Sequence, residues 1–461
     1  MGIQQNIYNH MPRCMQTLLL NVQASQYIRQ RRGGQYRSFL EWLLRFQWAD
    51  RDTIRKWQIE RFRLIFGEAV QNIPYYGRIF RDAGFRAEDL TDFSQLRQMP
   101  FLNKEQIREN MGEFANPAHK VVYESHTGGT TGAPLATPWD TESLQWSCAI
   151  MDRFYQSAGV SYWDRSAHLT GQMIVPHREK KKFWRYSRVD NTVFFSIFHL
   201  KPQNMPLYFE ELRAYQPLWI EGYTSFIYDI ARWINDEGLS GKLRLAAVFP
   251  TSETVTPTIR EEIEKAFGCP VYNHYGSTEG STLITQCPAG RMHIVPESGI
   301  IEFLREDGTP AEPGEISEMV ITSLRNFSLP LLRYRIGDMS LYTEEKCPCG
   351  RQWPIVENIA GRNVEQIKTP DGRNLYHFSH LIFKVTAKVR QSQIIQLKPE
   401  KFIFKIVKGP GYDATEENLI RERFREVLGC DARLDIQYVD VIPRLPSGKR
   451  PTVISHIREN D

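Results

Sequence analysis

Ser125-His126-Thr127-Gly128-Gly129-Thr130-Thr131-Gly132-Ala133-Pro134 is the most concentrated signal in this 461-residue chain. Three glycines let the backbone come close to a ligand, and three threonine hydroxyls with free amides supply donors for phosphate oxygens. The stretch is therefore a candidate anion cradle, the alternative being an ordinary surface loop. It is not a Walker A loop: the Gly448-Lys449 pair has Pro443 where the first glycine of that motif belongs.

From about residue 120 to 275 short apolar runs alternate with helical stretches: Leu218 to Ile220, Phe226 to Ile234, Leu245 to Phe249, Ile259 to Phe267, then Val271 and Tyr272. That alternation predicts a wound α/β core. Upstream, Phe39, Trp42, Leu43 and Phe46, then Trp57, Phe62, Ile65 and Phe66, carry helical spacing and predict a helical N-terminal segment. It closes near Pro100, with a new helix starting at Asn103, Lys104 and Glu105. After residue 290, Gly299 to Phe303 and Ile316 to Thr322, separated by Gly308, Pro310, Pro313 and Gly314, predict a β-rich subdomain. The last hundred residues, with strands at Gln393 to Leu397, Lys401 to Ile406 and Leu434 to Val441 and a helix at Glu416 to Leu428, predict a small α+β unit. The expected division is 1–361 and 362–461, at the Gly361-Arg362-Asn363 segment.

Composition narrows the function. Lys+Arg 58 against Asp+Glu 54 leaves +4, far from the basic footprint of a dedicated nucleic-acid binder. No apolar run approaches the roughly 20 residues of a membrane span, and Leu18 to Leu20 is too short for the core of a signal peptide. A cytoplasmic protein with no nucleic-acid or membrane partner is expected. The seven cysteines, an odd number, do not suggest a secreted disulfide framework.

Three further motifs carry chemistry. Tyr275-Gly276-Ser277-Thr278-Glu279-Gly280 follows an apolar pair at the expected carboxyl end of a strand, where a ring, a hydroxyl and a carboxylate suit a base and a metal-bound phosphate. Arg333-Tyr334-Arg335-Ile336-Gly337-Asp338 places a carboxylate in a tight turn, able to accept two ribose hydroxyls or merely to pair with Arg335. Pro443 to Arg450 presents Lys449 at a stiffened loop tip as a point charge for phosphate or carboxylate, or as a solvated lysine. Separately, Cys287 and His293 at Cys-x5-His spacing join Cys347 and Cys349 of a Cys-Pro-Cys-Gly turn in a Cys3His set suited to structural Zn²⁺; free cysteines are the alternative. The run His177 to Arg188, with Lys180, Lys181 and Lys182 among Phe183, Trp184 and Tyr186, reads as a solvated face or as a seat for coenzyme A phosphates or an acidic carrier.

In order along nearly the whole chain, these motifs resemble the adenylate-forming acyl-CoA synthetase superfamily, and within it the phenylacetate-CoA ligase and CapK-like branch. The resemblance implies a large N-terminal domain and a small mobile C-terminal domain. Thr127, Gly128, Gly129, Thr130, Thr131 and Gly132 would hold the β- and γ-phosphates of ATP, and Glu279 with Thr131 would hold Mg²⁺. Tyr275, Gly276, Ser277 and Thr278 would sit at the adenine beside the turn of Ser252, Glu253 and Thr254. Asp338 would bind ribose, Arg362 would reach a nucleotide phosphate, and Lys449 would bridge the carboxylate and the α-phosphate. Tyr223 would wall the acid pocket, and the Cys-x-Cys-Gly turn resembles the zinc-bearing members of the branch. Two positions depart from the pattern: Val364 and Glu365 stand where the hinge carries Asp, and Ala136 and Thr137 where many relatives carry a lysine. The expected activity is ATP-dependent carboxylate activation through an acyl adenylate, followed by thioester formation with CoA. Transfer to an acyl carrier protein, an amine or a sugar is the second expectation, and a catalytically silent zinc-stabilised scaffold the third. Substrate acid and oligomeric state are left open.

Overall fold

The computed structural model describes residues 3–126, 135–169, 171–362, 367–372, 374–375, 388–429, 431–444 and 450–457. Among them, five strands form a sheet in the order Trp184–Ser187, Thr192–Phe195, Ser166–Leu169, Trp219–Tyr223, Ala247–Thr251. The last four are parallel and the first is an antiparallel edge. Alternate side chains serve the two faces. On one, Ala167, Leu169, Ile220 and Val248 pack against helices Met205–Tyr215, Thr224–Asp236 and Pro257–Phe267 through Leu212, Ile227, Ile230 and Ile263. On the other, Trp219, Ala247 and Phe249 meet Phe154 and Tyr155 of helix Thr141–Ser157. Helices on both faces of a mostly parallel sheet make the wound α/β core the apolar runs predict.

Local sequence sets the helix ends. Thr256 caps Pro257–Phe267 by accepting from the Ile259 amide, Pro257 fits the first turn, and Gly268 closes it at φ 66°. Two strand expectations shift: Val271 makes only a parallel bridge to Val248, and the next strand is His274–Tyr275. That strand belongs to a seven-stranded antiparallel sheet ordered Gly299–Leu304, Ser317–Ser323, Tyr334–Thr343, Ile355–Arg362, Met292–Ile294, Ile284–Gln286, His274–Tyr275. The β-rich subdomain thus begins earlier than its glycine and proline punctuation indicates.

The N-terminal segment is helical, with Arg13–Arg32, Tyr36–Phe46, Arg51–Asn72 and Pro74–Ala83 as its longer members. Phe62, Ile65, Phe66 and Tyr76 pack against Leu324, Leu331 and Tyr334, so this segment supports the β-sheet. A buried bidentate pair, Arg153 Nη1 and Nη2 to Glu297 at 2.6 and 3.0 Å, ties helix Thr141–Ser157 to the same region. At the C-terminal end, strands Arg433–Tyr438, Lys401–Lys408, Val389–Lys398 and Val453–Ser455 form a four-stranded sheet in that order. Phe402, Phe404 and Ile406 bury against Ile420, Phe424 and Leu428 of helix Ala414–Leu428, giving this unit its own core.

Candidate active site

Several of the expected site residues lie near the carboxyl ends of the parallel strands, where Val271 bridges Val248 and strand His274–Tyr275 forms the adjoining edge of the large antiparallel sheet. Tyr275 donates its hydroxyl to Asp338 Oδ2 at 2.5 Å, across 63 residues of sequence. The structure corrects the local reading of Asp338: it lies within strand Tyr334–Thr343 rather than in a tight turn. Between Met339, opposite Glu318, and Arg335, opposite Val320, this strand carries two extra residues, with Gly337 at φ 77°. Such a bulge re-aims the side chains that follow it. Arg335 pairs with Glu318 at 3.1 Å, so it is not the partner of Asp338.

Glu279 is only 3% exposed, and its carboxylate accepts from Lys104 Nζ at 3.3 Å. Lys104 arrives there because its segment is stitched to the strand carrying Asp338. The Leu102 amide donates to the Arg333 carbonyl at 3.1 Å, and the Arg335 amide to the Leu102 carbonyl at 2.8 Å. Arg333, at φ 50°, also donates from Nη1 to the Met99 carbonyl at 2.6 Å. Sequence reading took Lys104 only as part of a helix start; its signal was a lone cation just after Pro100, and its partner lies 175 residues away. The turn after Glu279 needs Gly280: φ is 75°, and a Cβ there would meet the Trp139 ring at 2.8 Å.

The glycine-threonine stretch joins this group through its flanks. Strands Tyr123–His126 and Ala136–Trp139 pair antiparallel as far as His126 opposite Ala136. Ser125 Oγ donates to the Thr278 carbonyl at 3.1 Å. Thr127, Gly128, Gly129, Thr130, Thr131 and Gly132 themselves lie outside the described residues. Gly276, Ser277 and Thr278 occupy the loop from Tyr275 to Glu279, where Ser277 Oγ lies 2.7 Å from Ser281 Oγ.

Ser252 and Glu253 follow strand Ala247–Thr251, Ser252 at φ 68°. The Glu253 carboxylate accepts from the Ser225 amide at 2.7 Å and from the Arg450 amide at 3.0 Å. It therefore ties the start of helix Thr224–Asp236 to the C-terminal segment. Arg444 donates to Ser225 Oγ at 2.5 Å and to Asp229 Oδ2 at 2.8 Å, with its guanidinium 3.5 Å from the centre of the Phe226 ring. Burial pushes Arg444 down to about 10. Arg450 also reaches Asp229 Oδ2, at 3.2 Å. Lys449 lies outside the described residues, yet residues on both sides of it are anchored on the same helix turn. Arg362 is described by its backbone alone, in register with Asp338, and Val364 and Glu365 fall outside the described residues. Tyr223 ends its strand, with its ring 6.2 Å from Phe226.

Away from this site, Cys287, His293, Cys347 and Cys349 bring their ligand atoms within 4.8 Å of one another. Cys287 and Cys347 sulfurs are 3.6 Å apart, as are Cys349 Sγ and His293 Nε2. Tetrahedral ligands at about 2.3 Å from zinc lie roughly 3.7 Å from each other, so the donor set fits the ion. His293 Nδ1 lies 3.4 Å from the Trp353 carbonyl, an orientation that leaves Nε2 toward the sulfurs. In the basic run Arg185 is buried and bonded to Gln16, and the amides of Lys180, Lys181 and Lys182 all donate to Glu179 Oε1, while the side chains of Lys180 and Lys181 are exposed.

Residues 367–456 match the CapK C-terminal domain family. The chain is 28% identical to Protein CapK of Staphylococcus aureus, covering 98% of this chain and 99% of that protein. It is 25% identical to the phenylacetate-coenzyme A ligase of Thermus thermophilus, over 69% of this chain and 72% of the ligase. Its fold is that of the crystal structure of 2-hydroxyisobutyryl-CoA ligase in the postadenylation state, with TM-score 0.72 at 17% identity, covering 88% of this chain and 90% of the other. Against the same ligase in the thioesterification state the TM-score is 0.56, at 17% identity and coverage of 89% and 91%. Over its whole length the chain is thus similar to CapK, over about two thirds of it to the phenylacetate-CoA ligases, and it has the fold of an adenylate-forming CoA ligase.

Proposed function

We propose that the protein activates a carboxylic acid with ATP and passes the acyl group to coenzyme A. The observation that carries this reading is the anchoring of Arg444 and Arg450, on either side of Lys449, at the strand ends where Tyr275, Asp338 and Glu279 gather. In the first step a substrate carboxylate oxygen attacks the α-phosphorus, and pyrophosphate leaves. Two anions must approach in line, so the site has to supply positive charge and fix the geometry. Lys449 is the cation for that contact. Asp338 accepts from ribose hydroxyls, Tyr275 packs on the base, and Thr127 to Gly132 cradle the outgoing phosphates. Arg362 takes a nucleotide phosphate, and Ser252 and Glu253 hold the turn beside the base. Glu279 and Thr131 are the ligands for Mg²⁺, which supplies charge neutralisation when bound. Lys104, in reach of Glu279, supplies a cation to this group, in a chain where Ala136 and Thr137 replace the lysine of many relatives.

In the second step a thiol attacks the acyl carbonyl and AMP leaves. Residues 362–461 are the unit that rotates between the steps over the core of residues 1–361, withdrawing Lys449. The higher TM-score to the postadenylation arrangement supports an adenylating orientation for the described chain. Cys287, His293, Cys347 and Cys349 hold a structural Zn²⁺, with all four positions filled by protein.

A second reading, in which the acceptor is a carrier protein, an amine or a sugar, draws support from one observation. The full-length match is to CapK, whereas the Thermus ligase aligns over 69% of the chain. Product analysis decides between them. Incubation with ATP, Mg²⁺, acid and CoA should yield AMP and an acyl-CoA in equal amounts; AMP and pyrophosphate without a CoA thioester would move the acceptor to the second reading, and ADP as product would contradict both.

A further inference from the structure

Behind the strand ends lies a polar group that neither the nucleotide residues nor the zinc ligands use. His168, Glu221 and Phe249 stand opposite one another in register on three neighbouring parallel strands. They share the sheet face of Trp219 and Ala247, the face covered by helix Thr141–Ser157. Glu221 receives one hydrogen bond, from the Tyr155 hydroxyl to Oε2 at 2.9 Å, and its other oxygen has no partner among the described residues. His168 Nε2 is buried and equally without a partner. Burial pushes Glu221 up to about 7 and His168 down to about 4, so the imidazole is neutral at physiological pH.

The neighbouring charges are already used. Arg32 forms a bidentate pair with Asp152 at 2.7 and 2.6 Å, and Tyr36 donates to the same carboxylate at 2.5 Å. Aromatic rings surround the open atoms: Trp219 lies 5.2 Å from the His168 ring, 4.9 Å from Tyr155 and 5.6 Å from Phe249. A buried polar atom without a partner, as His168 Nε2 is, weakens a fold, and the half-buried Glu221 carboxylate beside it leaves one oxygen open to a ligand. Position supplies the reason for keeping them. Two residues along the same strands come Tyr223 and Thr251, then Ser252 and Glu253 at the nucleotide turn. Two strand residues span about 6–7 Å.

We propose that Glu221 and His168 are the specificity subsite for the far end of the carboxylic acid, and that this acid carries a hydrogen-bond donor, a hydroxyl or an ammonium group, about 6–7 Å from its carboxylate. The inference rests on the activation reading above and names its substrate class. A site built to bond a donor discriminates against the analogue lacking it, because its own polar atoms are then stranded, whereas a wholly apolar pocket cannot reject the addition of a hydroxyl so strongly. A second carboxylate on the substrate would meet Glu221 and is disfavoured.

Matched acids test it: phenylacetate with 4-hydroxyphenylacetate, and pentanoate with its 5-hydroxy and 5-amino forms. Binding to the full chain is measured by calorimetry in the presence of AMP, beside acid-dependent pyrophosphate exchange. The donor-bearing member should bind about tenfold tighter or better. Glu221→Leu should erase that preference, and His168→Phe, which keeps a ring in the layer, should reduce it, providing the test if the leucine variant does not fold. Glu221→Gln keeps an acceptor without charge, so it should retain a preference for hydroxyl and lose one for ammonium. Equal binding of the apolar member by the wild type, or a preference untouched by these variants, overturns the subsite. Exchange without Glu221-dependent preference removes the subsite and leaves activation standing. Glu221-dependent binding without exchange does the reverse, and absence of both overturns both.

Discussion

Asp338 and Glu279 are both buried carboxylates, but their partners differ, and so do the expected consequences of removing them. Asp338 meets a phenol, Tyr275, and under the proposed function it also accepts from ribose hydroxyls. Hydrogen bonds to a charged group contribute about 1.5–3 kcal/mol, so Asp338→Ala should raise the KM for ATP roughly 10- to 100-fold with a smaller effect on kcat. Glu279 meets Lys104, and under the proposed function that cation faces the departing phosphates. Lys104→Ala should therefore lower kcat by about tenfold or more, with Lys104→Arg partly restoring it; steady-state kinetics in ATP at saturating acid separates the two patterns. Short motifs made the residues with special chemistry legible: Tyr275 and Asp338 are brought into contact, although Asp338 sits in a bulged strand and not in the tight turn expected. Lys104 and Glu221 were not legible, because a lone charged residue in a helical or apolar context reads as surface or edge until the chain brings a distant partner to it. The bulge at Gly337 was missed for a related reason: a glycine before an aspartate is the signature of a turn, and only the register with Ser317–Ser323 shows a continuing strand.

Elements followed their hydrophobic periods closely. Helix Ala414–Leu428 starts two residues before the apolar pattern indicates, because Asp413 accepts from the Thr415 amide at 2.8 Å and so fixes the first turn. Strand Trp184–Ser187 was hidden inside a run of lysines and aromatics, where charge density masks the period of two. The Cys-Pro-Cys-Gly turn and the hairpin of Ile284–Gln286 and Met292–Ile294 were separable in sequence, and pairing of Met292–Ile294 with Ile355–Arg362 brings them together. That convergence has a direct consequence. Purified protein should carry about one zinc per chain; Cys347→Ser should release it and lower the melting temperature by several degrees, as when a metal binds only the folded state. A folded, zinc-free wild type of unchanged melting temperature would remove the metal site.

At the level of the whole molecule, the contacts of the C-terminal segment with the core among the described residues include several charged pairs. Asp229 alone receives both Arg444 and Arg450, and Arg390 approaches Asp236 on the same helix at 3.6 Å. Such contacts suit the docking and release that the proposed function asks of this unit. Asp229→Asn keeps the side-chain volume but weakens both contacts. It should slow adenylation by about threefold to tenfold while leaving thioester formation from a supplied acyl adenylate nearly unchanged; equal slowing of both half-reactions would show that the contact serves the fold instead.

The decisive measurement is carboxylate-dependent exchange of labelled pyrophosphate into ATP, run across aryl, aliphatic, hydroxy and amino acids with the wild type and Lys449→Ala. Exchange with one class of acid, lost by at least about a hundredfold in the variant, is the expected result for a lysine that bridges two anions in the transition state. Exchange that persists in Lys449→Ala, or a wild type that binds ATP and exchanges with no acid, would contradict adenylation at this site and favour a zinc-stabilised scaffold that keeps only the fold.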